Sequence, residues 1–213
     1  MKESTNREQI LSSIRNALIE VSEIPFPDID MGGEVFAKHD DSDGIEVVFA
    51  REFIAVGGKF VYSENEKAFL EFLHDLMTKN NWPPIWCTTE RISNLLNAGN
   101  IPNVTDAPEN VVLGMSTCEK LIARTGSILV TSSDTLDRRV WAQPDVHLVI
   151  AYSSQVVLSL KEALADLKVK YKGSFPSQTT LITGASRTAD IEKTLVMGAH
   201  GPKELYVFLI DDL

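Results

Sequence analysis

The chain has 213 residues, of which 44% are hydrophobic and 23% are charged, a composition typical of a globular protein that buries a sizeable core. Its formal net charge of -10 disfavours binding to nucleic acid or to an anionic membrane, because such binding needs clustered Lys and Arg. The first residues contain no apolar signal segment, and no apolar run approaches the roughly 20 residues of a membrane span. We therefore expect a cytoplasmic protein without membrane insertion.

The two cysteines, Cys87 and Cys118, lie far apart in the sequence. Two thiols are too few for a disulfide framework, and they lack the number and spacing of zinc or iron–sulfur ligands. The histidines show no paired spacing either. We expect buried thiols in a reducing compartment, no bound metal and no resident cofactor.

The first predicted element is a helix in which Thr5 and Glu8 fit a capping box. Apolar residues follow at helical spacing as far as Leu18, and we expect the helix to end near Glu20. The next stretch, residues 22–44, is rich in Pro, Gly and Asp and indicates a long connection. We predict residues 1–44 as helix and linker and residues 45–213 as the main domain. The helix either packs on that domain or meets another subunit, so a homo-oligomer is one alternative.

From residue 45 onward, predicted helices alternate with predicted strands. This alternation argues for an α/β fold with a mainly parallel sheet flanked by helices, to which the first helix is an N-terminal extension. The predicted helices are 45–56, 65–78, 90–96, 116–123, 156–167 and 188–196. Ser116 and Glu119 fit a second capping box, which opens the helix over 116–123. The predicted strands are 59–62, 85–87, 111–113, 127–131, 146–152, 179–183 and 204–210.

The segment from Gly184 to Pro202 concentrates polar side chains just after a predicted strand, where open α/β sheets bind ligands. Gly184 allows a sharp turn, and Thr188 opens a predicted helix whose first N–H groups attract anions. Ser186 and Thr188 can cap that helix or donate to an anion, and Arg187 can clamp a carboxylate or a phosphate. The alternative is a well-capped helix in which Arg187 pairs with a nearby carboxylate.

Other polar residues are further candidates. Asp190 and Glu192 fall in the first turn of the same predicted helix. His200 lies between two glycines and is either an acid, base or hydrogen-bond donor, or a residue that bonds its own turn. Arg138 and Arg139 follow the end of a predicted strand and add positive charge to an acidic protein; the alternative is a solvated charged loop.

Two candidates lie closer to the predicted strands. Thr125 precedes a glycine turn whose first interpretation is structural, and because this turn enters a strand, it is expected at the opposite edge from the anion-binding segment. His147 enters a strand and is either a hydrogen-bonded core residue or a reactive one.

Four segments of the C-terminal half resemble the LUD-domain family of lactate-utilisation proteins, most closely its short C type: ARTGSILV, DRRVWAQPDVHLVI, TGASRTADIE and GAHGP. The resemblance implies the sugar-isomerase and CoA-transferase type of α/β fold. It also implies participation in the oxidation of L-lactate to pyruvate with two iron–sulfur partner proteins, this chain being the partner without redox metal. Arg124 and Ala185 depart from the family pattern, which usually has Glu and Pro there.

The candidate residues named above match the family pattern. We predict His200, Asp190 and Glu192 as catalytic, and Gly184, Ser186, Arg187, Thr188, Arg138, Arg139 and Thr125 as substrate-binding. The alternative to an accessory subunit is a stand-alone enzyme or sensor that binds a small anionic metabolite: a sugar phosphate, a hydroxy acid or a CoA ester. A scaffold whose polar loops only fix the fold is a third interpretation.

Overall fold

The computed structural model describes residues 5–19, 43–189, 195–198 and 201–212. The chain divides into two compact units, Met1–Asp40 and Asp41–Leu213. In the first unit, helix α1 (Asn6–Ile19) begins as predicted, because Glu8 N donates to Thr5 Oγ1 over 3.4 Å and Thr5 N donates to Glu8 Oε2 over 2.9 Å. This reciprocal pair is a capping box. The connection predicted over residues 22–44 lies outside the described residues, apart from 43 and 44.

The helices of the second unit begin at capping residues that the sequence supplies. Asn65 Oδ1 accepts from Ala68 N over 2.9 Å, and Ser159 Oγ accepts from Glu162 N over 3.3 Å, which satisfies N–H groups that a helix leaves free. None of the described helices has the length and hydrophobicity that crossing a lipid bilayer requires. The described helices of this unit are α2 (Ile45–Ala55), α3 (Glu66–Asn80), α4 (Glu90–Ala98) and α5 (Leu160–Lys170).

The described strands are β1 (Lys59–Ser63), β2 (Ile85–Cys87), β3 (Asn103–Val104), β4 (Leu113–Thr117), β5 (Lys120–Ile122), β6 (Ser127–Thr131), β7 (Val146–Tyr152), β8 (Val156–Val157), β9 (Thr179–Ile182), β10 (Arg187–Ala189), β11 (Leu195–Met197) and β12 (Glu204–Ile210). A six-stranded parallel sheet has the order β1-β12-β7-β4-β2-β3. A four-stranded mixed sheet has the order β8-β5-β6-β9, and β10 pairs with β11 as an antiparallel hairpin. The predicted α/β fold with a mainly parallel sheet is confirmed.

The parallel sheet is covered on both faces. On one face, Phe69 of α3 belongs to the same apolar cluster as Leu148 of β7. On the other face, Phe49 of α2 belongs to a second cluster with Val149 of β7. Strands β7 and β12 are apolar almost throughout, because parallel strands buried on both faces leave few positions for polar side chains.

The helix predicted over residues 116–123 is wrong. This segment contains the end of β4 and all of β5, followed by a short 3₁₀ turn. Ser116 and Glu119 have the spacing of a capping box but bond to other elements. Ser116 Oγ lies 2.9 Å from His147 Nε2, and Lys170 Nζ donates to Glu119 Oε2 over 2.6 Å. Strand pairing and these distant partners override the local capping pattern.

The helix predicted over residues 188–196 is also wrong. Thr188 pairs with Val196, and Arg187 pairs with Met197, in the hairpin of β10 and β11. The residues between 190 and 194 lie outside the described part of the chain. The helix predicted over 156–167 is corrected to the short strand β8 followed by α5, which Ser159 caps.

Candidate functional site

The predicted anion-binding segment around Ser186 lies at the amino edge of the parallel sheet. Ser186 N donates to the carbonyl oxygen of Pro202 over 2.9 Å, and Pro202 lies just before the start of β12. The segment does follow the end of β9, but β9 belongs to the mixed sheet. The expectation that this segment follows a strand of the parallel sheet is therefore wrong.

Thr125, Gly184 and Arg187 lie around the C-terminal end of α2, in a cluster that we call the α2 junction. The Arg187 guanidinium donates a hydrogen bond to the carbonyl oxygen of Val56. A Cβ atom on Gly184, whose φ is +78°, would meet the same carbonyl. Arg187 is therefore bonded to backbone, and it lies in strand β10 instead of at the start of the predicted helix.

Hydroxyl groups connect Thr125 to this junction. Ser127 Oγ lies 2.7 Å from Thr125 Oγ1 and 2.8 Å from Thr183 Oγ1. Gly126 has a φ of +57°, and a Cβ atom there would meet the backbone of Phe53 in α2. The expectation that this turn lies at the opposite edge from Gly184 is wrong, because the hydroxyl chain joins the two.

Arg138 and Arg139 lie in the loop after β6, where both side chains are exposed and already bonded. Arg138 Nη1 donates to Gln178 Oε1 over 2.8 Å, and Arg139 Nε donates to Asp137 Oδ2 over 2.9 Å. The substrate-binding roles predicted for these two residues and for the α2 junction stay predictions.

The residues predicted to be catalytic, Asp190, Glu192 and His200, fall outside the described residues, as does the side chain of Thr188. Their roles stay predictions. Within the described residues, no group of three His, Cys, Asp or Glu side chains is placed to hold a metal ion.

His147 is a core residue. It is fully buried on β7, with Nε2 2.9 Å from Ser116 Oγ. Burial lowers the pKa of His147 to about 3, because an imidazolium loses its hydration there. His147 is therefore neutral at physiological pH, which favours the core interpretation over the reactive one.

A cavity of about 540 Å³ opens at the other edge of the parallel sheet, where its strands end. We call it the carboxyl-edge cavity. Open α/β sheets bind ligands at this edge. Its wall includes residues at or just after the ends of four parallel strands, together with two cationic side chains from helices: Thr89, Thr117, Tyr152, Asp212, Arg91 and Lys170.

Glu119 and Asp134 form an acidic pair beside this cavity. Thr131 Oγ1 lies 3.1 Å from Glu119 Oε1 and 3.1 Å from Asp134 Oδ2. A hydroxyl group has one hydrogen to donate, so Thr131 Oγ1 can donate to only one of the two carboxylates at a time. Glu119 is buried, whereas Asp134 lines the cavity.

The two carboxyl groups have opposite pKa shifts. Burial raises the pKa of Glu119, but hydrogen bonds from Lys170 and Tyr171 outweigh burial and hold this pKa below its ordinary value. Burial, and next the charge of Glu119, raise the pKa of Asp134 to about 6. Glu119 therefore stays ionised while Asp134 changes charge near neutral pH, and such separated carboxyl pairs are frequent at functional sites.

Two cations face the cavity in different ways. Lys170, the last residue of α5, is held by Glu119. Arg91, in the first turn of α4, places its guanidinium 5.0 Å from the centre of the Tyr152 ring. No carboxylate of the described residues forms an ion pair with Arg91. Arg91 makes a hydrogen bond with the Tyr152 hydroxyl, and the remaining donors of its planar set are open to an anion.

Sequence reasoning missed this cavity. It assigned Glu119 to a helix cap, and in the loop after β6 it selected Arg138 and Arg139 without considering Asp134. The sequence does carry one signal for these two carboxylates, which is their position just after a strand. Glu119 and Asp134 follow the ends of β4 and β6 within three residues. Arg91 carries no comparable signal, because its place at the cavity depends on how α4 packs.

Several known proteins resemble this chain in sequence. The LUD domain family model matches residues 101–210. Lactate utilization protein C of Geobacillus kaustophilus is 29% identical over 164 residues, which cover 76% of this chain and 67% of that protein. Lactate utilization protein C of Bacillus subtilis is 27% identical over 179 residues, which cover 81% and 71%. An uncharacterized protein of Neisseria meningitidis is 36% identical over 101 residues, which cover 47% and 43%.

A solved structure has the same fold. The crystal structure of a DUF162 family protein from Deinococcus radiodurans has a TM-score of 0.61 and 16% sequence identity, covering 78% of this chain and 96% of that one. The region that the family model matches contains Glu119, Asp134 and Lys170, whereas Arg91 precedes it.

Proposed function

Because this chain belongs to the LUD-domain family, we propose that it takes part in lactate utilisation, as a component of L-lactate oxidation to pyruvate that acts with iron–sulfur partner proteins. The observation that carries the proposal is the family match over residues 101–210, together with relatives named lactate utilization protein C. Oxidation of lactate to pyruvate releases two electrons and two protons. In this proposal the iron–sulfur proteins accept the electrons.

The cysteines support a role without a cluster held by this chain alone. The sequence contains two cysteines, whereas an iron–sulfur cluster is commonly held by four thiolates. Burial raises the pKa of Cys87 to about 11 and raises the pKa of Cys118 still more. Both side chains are therefore neutral thiols at physiological pH, and the thiolate is the form that binds metal.

The second candidate function is a stand-alone enzyme or sensor for a small anionic metabolite. The observation that favours it is the carboxyl-edge cavity, which brings Arg91, Lys170 and Asp134 to the edge of the sheet where ligands bind. The two candidates differ in whether the chain works inside a stable complex.

A pull-down separates the two candidates. The tagged full-length chain is recovered from its native host grown on lactate, and the eluate is tested by absorption spectroscopy and by lactate-dependent dye reduction. A brown complex whose dye reduction stops when this chain is removed, and resumes when it is added back, is the expected result. The same strain grown without lactate is the control. Recovery of the chain alone and colourless, with normal lactate oxidation in a deletion strain, would contradict the proposal.

A further inference from the structure

We propose that the carboxyl-edge cavity is the ligand site of this protein and that it binds a small 2-hydroxy or 2-oxo carboxylate, with the ligand carboxylate on Arg91 and its 2-oxygen on Asp134. The choice of acids rests on the proposed function. The cavity, its cations and its acidic pair support the site itself, whichever acid it binds. The volume of about 540 Å³ holds such an acid together with hydration water.

Arg91 is the group best prepared to hold the ligand carboxylate. It stands over Tyr152, whose hydroxyl donates to Glu66 Oε1 over 2.7 Å and so fixes the ring. Stacking on an aromatic ring restrains a guanidinium while leaving its N–H donors at the edge. A carboxylate can accept two parallel hydrogen bonds from that edge, which is the strongest arrangement for this pair of groups.

Of the acidic groups that line the cavity, Asp134 is the one whose charge changes near neutral pH. Asp212 is satisfied, because Ser154 N and Ser154 Oγ donate to its carboxylate over 2.9 and 2.6 Å. Lys170 is paired with the ionised Glu119. Asp134 receives a bond from Thr131 N over 2.9 Å and can gain a proton.

The charge state of Asp134 is set by groups on several elements. Thr131 donates to it from β6, and the charge of Glu119 opposes its ionisation. The neutral thiol of Cys118 lies close enough to sense its charge, and Lys120 is paired with Asp166 over 2.7 Å. The titratable groups that share the cavity with Asp134 are Arg91, Cys118, Tyr152, Lys170 and Asp212.

Binding of an anion is therefore linked to protonation of Asp134. A ligand carboxylate adds negative charge to the cavity, which favours the neutral form of Asp134. Neutral Asp134 can donate to the oxo group of a 2-oxo acid, whereas ionised Asp134 can only accept from the hydroxyl group of a 2-hydroxy acid. Affinity for the oxo acid should thus rise as the pH falls toward about 6 and level off below it.

The test is calorimetric titration of the full chain with pyruvate and with L-lactate at several pH values. Lowering the pH from about 8 to about 5 should raise the affinity for pyruvate about tenfold or more, and the affinity for L-lactate by less. Asp134→Asn has the shape of the neutral acid, and its pyruvate affinity should stay the same at every pH. A pH dependence that survives in Asp134→Asn would overturn the linkage.

Arg91→Gln tests the position of the ligand. Its affinity for both acids should fall about tenfold or more, the scale of a lost charge-assisted hydrogen bond. Arg51→Gln is the matched control, because Arg51 is an exposed residue of α2 paired with Asp43, and its affinities should be those of the wild type. Circular dichroism of each variant verifies that it is folded.

Three results would overturn the proposal: no binding of either acid to the wild type, unchanged binding in Arg91→Gln, or inorganic phosphate binding more tightly than both acids. None of them depends on partner proteins, so the pull-down can succeed while this proposal fails. Tight binding by the isolated chain, on the other hand, supports the cavity even where no complex is recovered.

Discussion

The two edges of the parallel sheet use polar residues in different ways. At the amino edge, the α2 junction bonds its polar groups to protein: Arg187 to the Val56 carbonyl, and Thr125 to Ser127. At the carboxyl edge, Arg91 and Asp134 face a cavity. Arg187, from the polar motif that the sequence makes conspicuous, is thus bonded to protein, whereas the cavity draws its charged groups from separate parts of the chain.

The largest effect expected at neutral pH concerns the close approach of backbone at the α2 junction. Gly126→Ala should lower the free energy of unfolding by about 3 kcal/mol, because φ is +57° and the new Cβ would meet the backbone of Phe53. Gly173→Ala is the control, with a φ of +82° and no atom within 4 Å, and should cost about 1 kcal/mol. Urea denaturation measures both. Equal losses would show that the contact with α2 contributes nothing.

The next effect concerns His147, which burial keeps neutral at physiological pH. The folded pKa of His147, about 3, lies below the unfolded value of about 6.5. Its stabilising contribution is therefore complete above about pH 6.5 and falls by about 1.4 kcal/mol for each pH unit below that, down to the folded pKa. His147→Gln should lose stability less steeply than the wild type on acidification, when unfolding is followed at several pH values. Parallel curves would mean that His147 does not titrate differently in the two states.

Asp134 should show a smaller effect of the opposite sign. Its folded pKa of about 6 lies above the unfolded value of about 3.9, so stability falls as the pH rises from about 3.9 to about 6 and stays lower above that range. Asp134→Asn should stabilise the protein by about 1 kcal/mol at pH 8, after allowance for solvent screening, and the gain should disappear as the pH falls through 6 toward 4. Asp166→Asn removes the exposed partner of an ion pair with the half-buried Lys120 and should change stability by less than about 1 kcal/mol. A loss of stability in Asp134→Asn at pH 8 would contradict this reading.

Patterns whose cause is local made much of the fold predictable. Strands β7 and β12 are continuous apolar runs, and the capping box at Thr5 and Glu8 forms as its spacing indicates. The same spacing at Ser116 and Glu119 misled, because those side chains bond to His147 and Lys170, which are distant in sequence. A capping pattern shows which hydrogen bonds two side chains can make at a helix terminus, but it does not show whether they bond to other residues of the folded chain instead.

The candidate site was less predictable for a topological reason. The alternation of helices and strands gave no sign that β9 leaves the parallel sheet for the mixed one, and this difference moves the segment after β9 to the amino edge. The cavity depends on tertiary packing, since its charged groups come from α4, α5, the loop after β6 and the end of β12.

The most direct test compares Arg91→Gln and Arg187→Gln side by side in a calorimetric titration with pyruvate at about pH 6, near the pKa of Asp134. If the carboxyl-edge cavity is the ligand site, Arg91→Gln loses about tenfold or more in affinity, and Arg187→Gln binds as the wild type does. Loss of binding in Arg187→Gln with full binding in Arg91→Gln would place the ligand at the α2 junction and contradict the account.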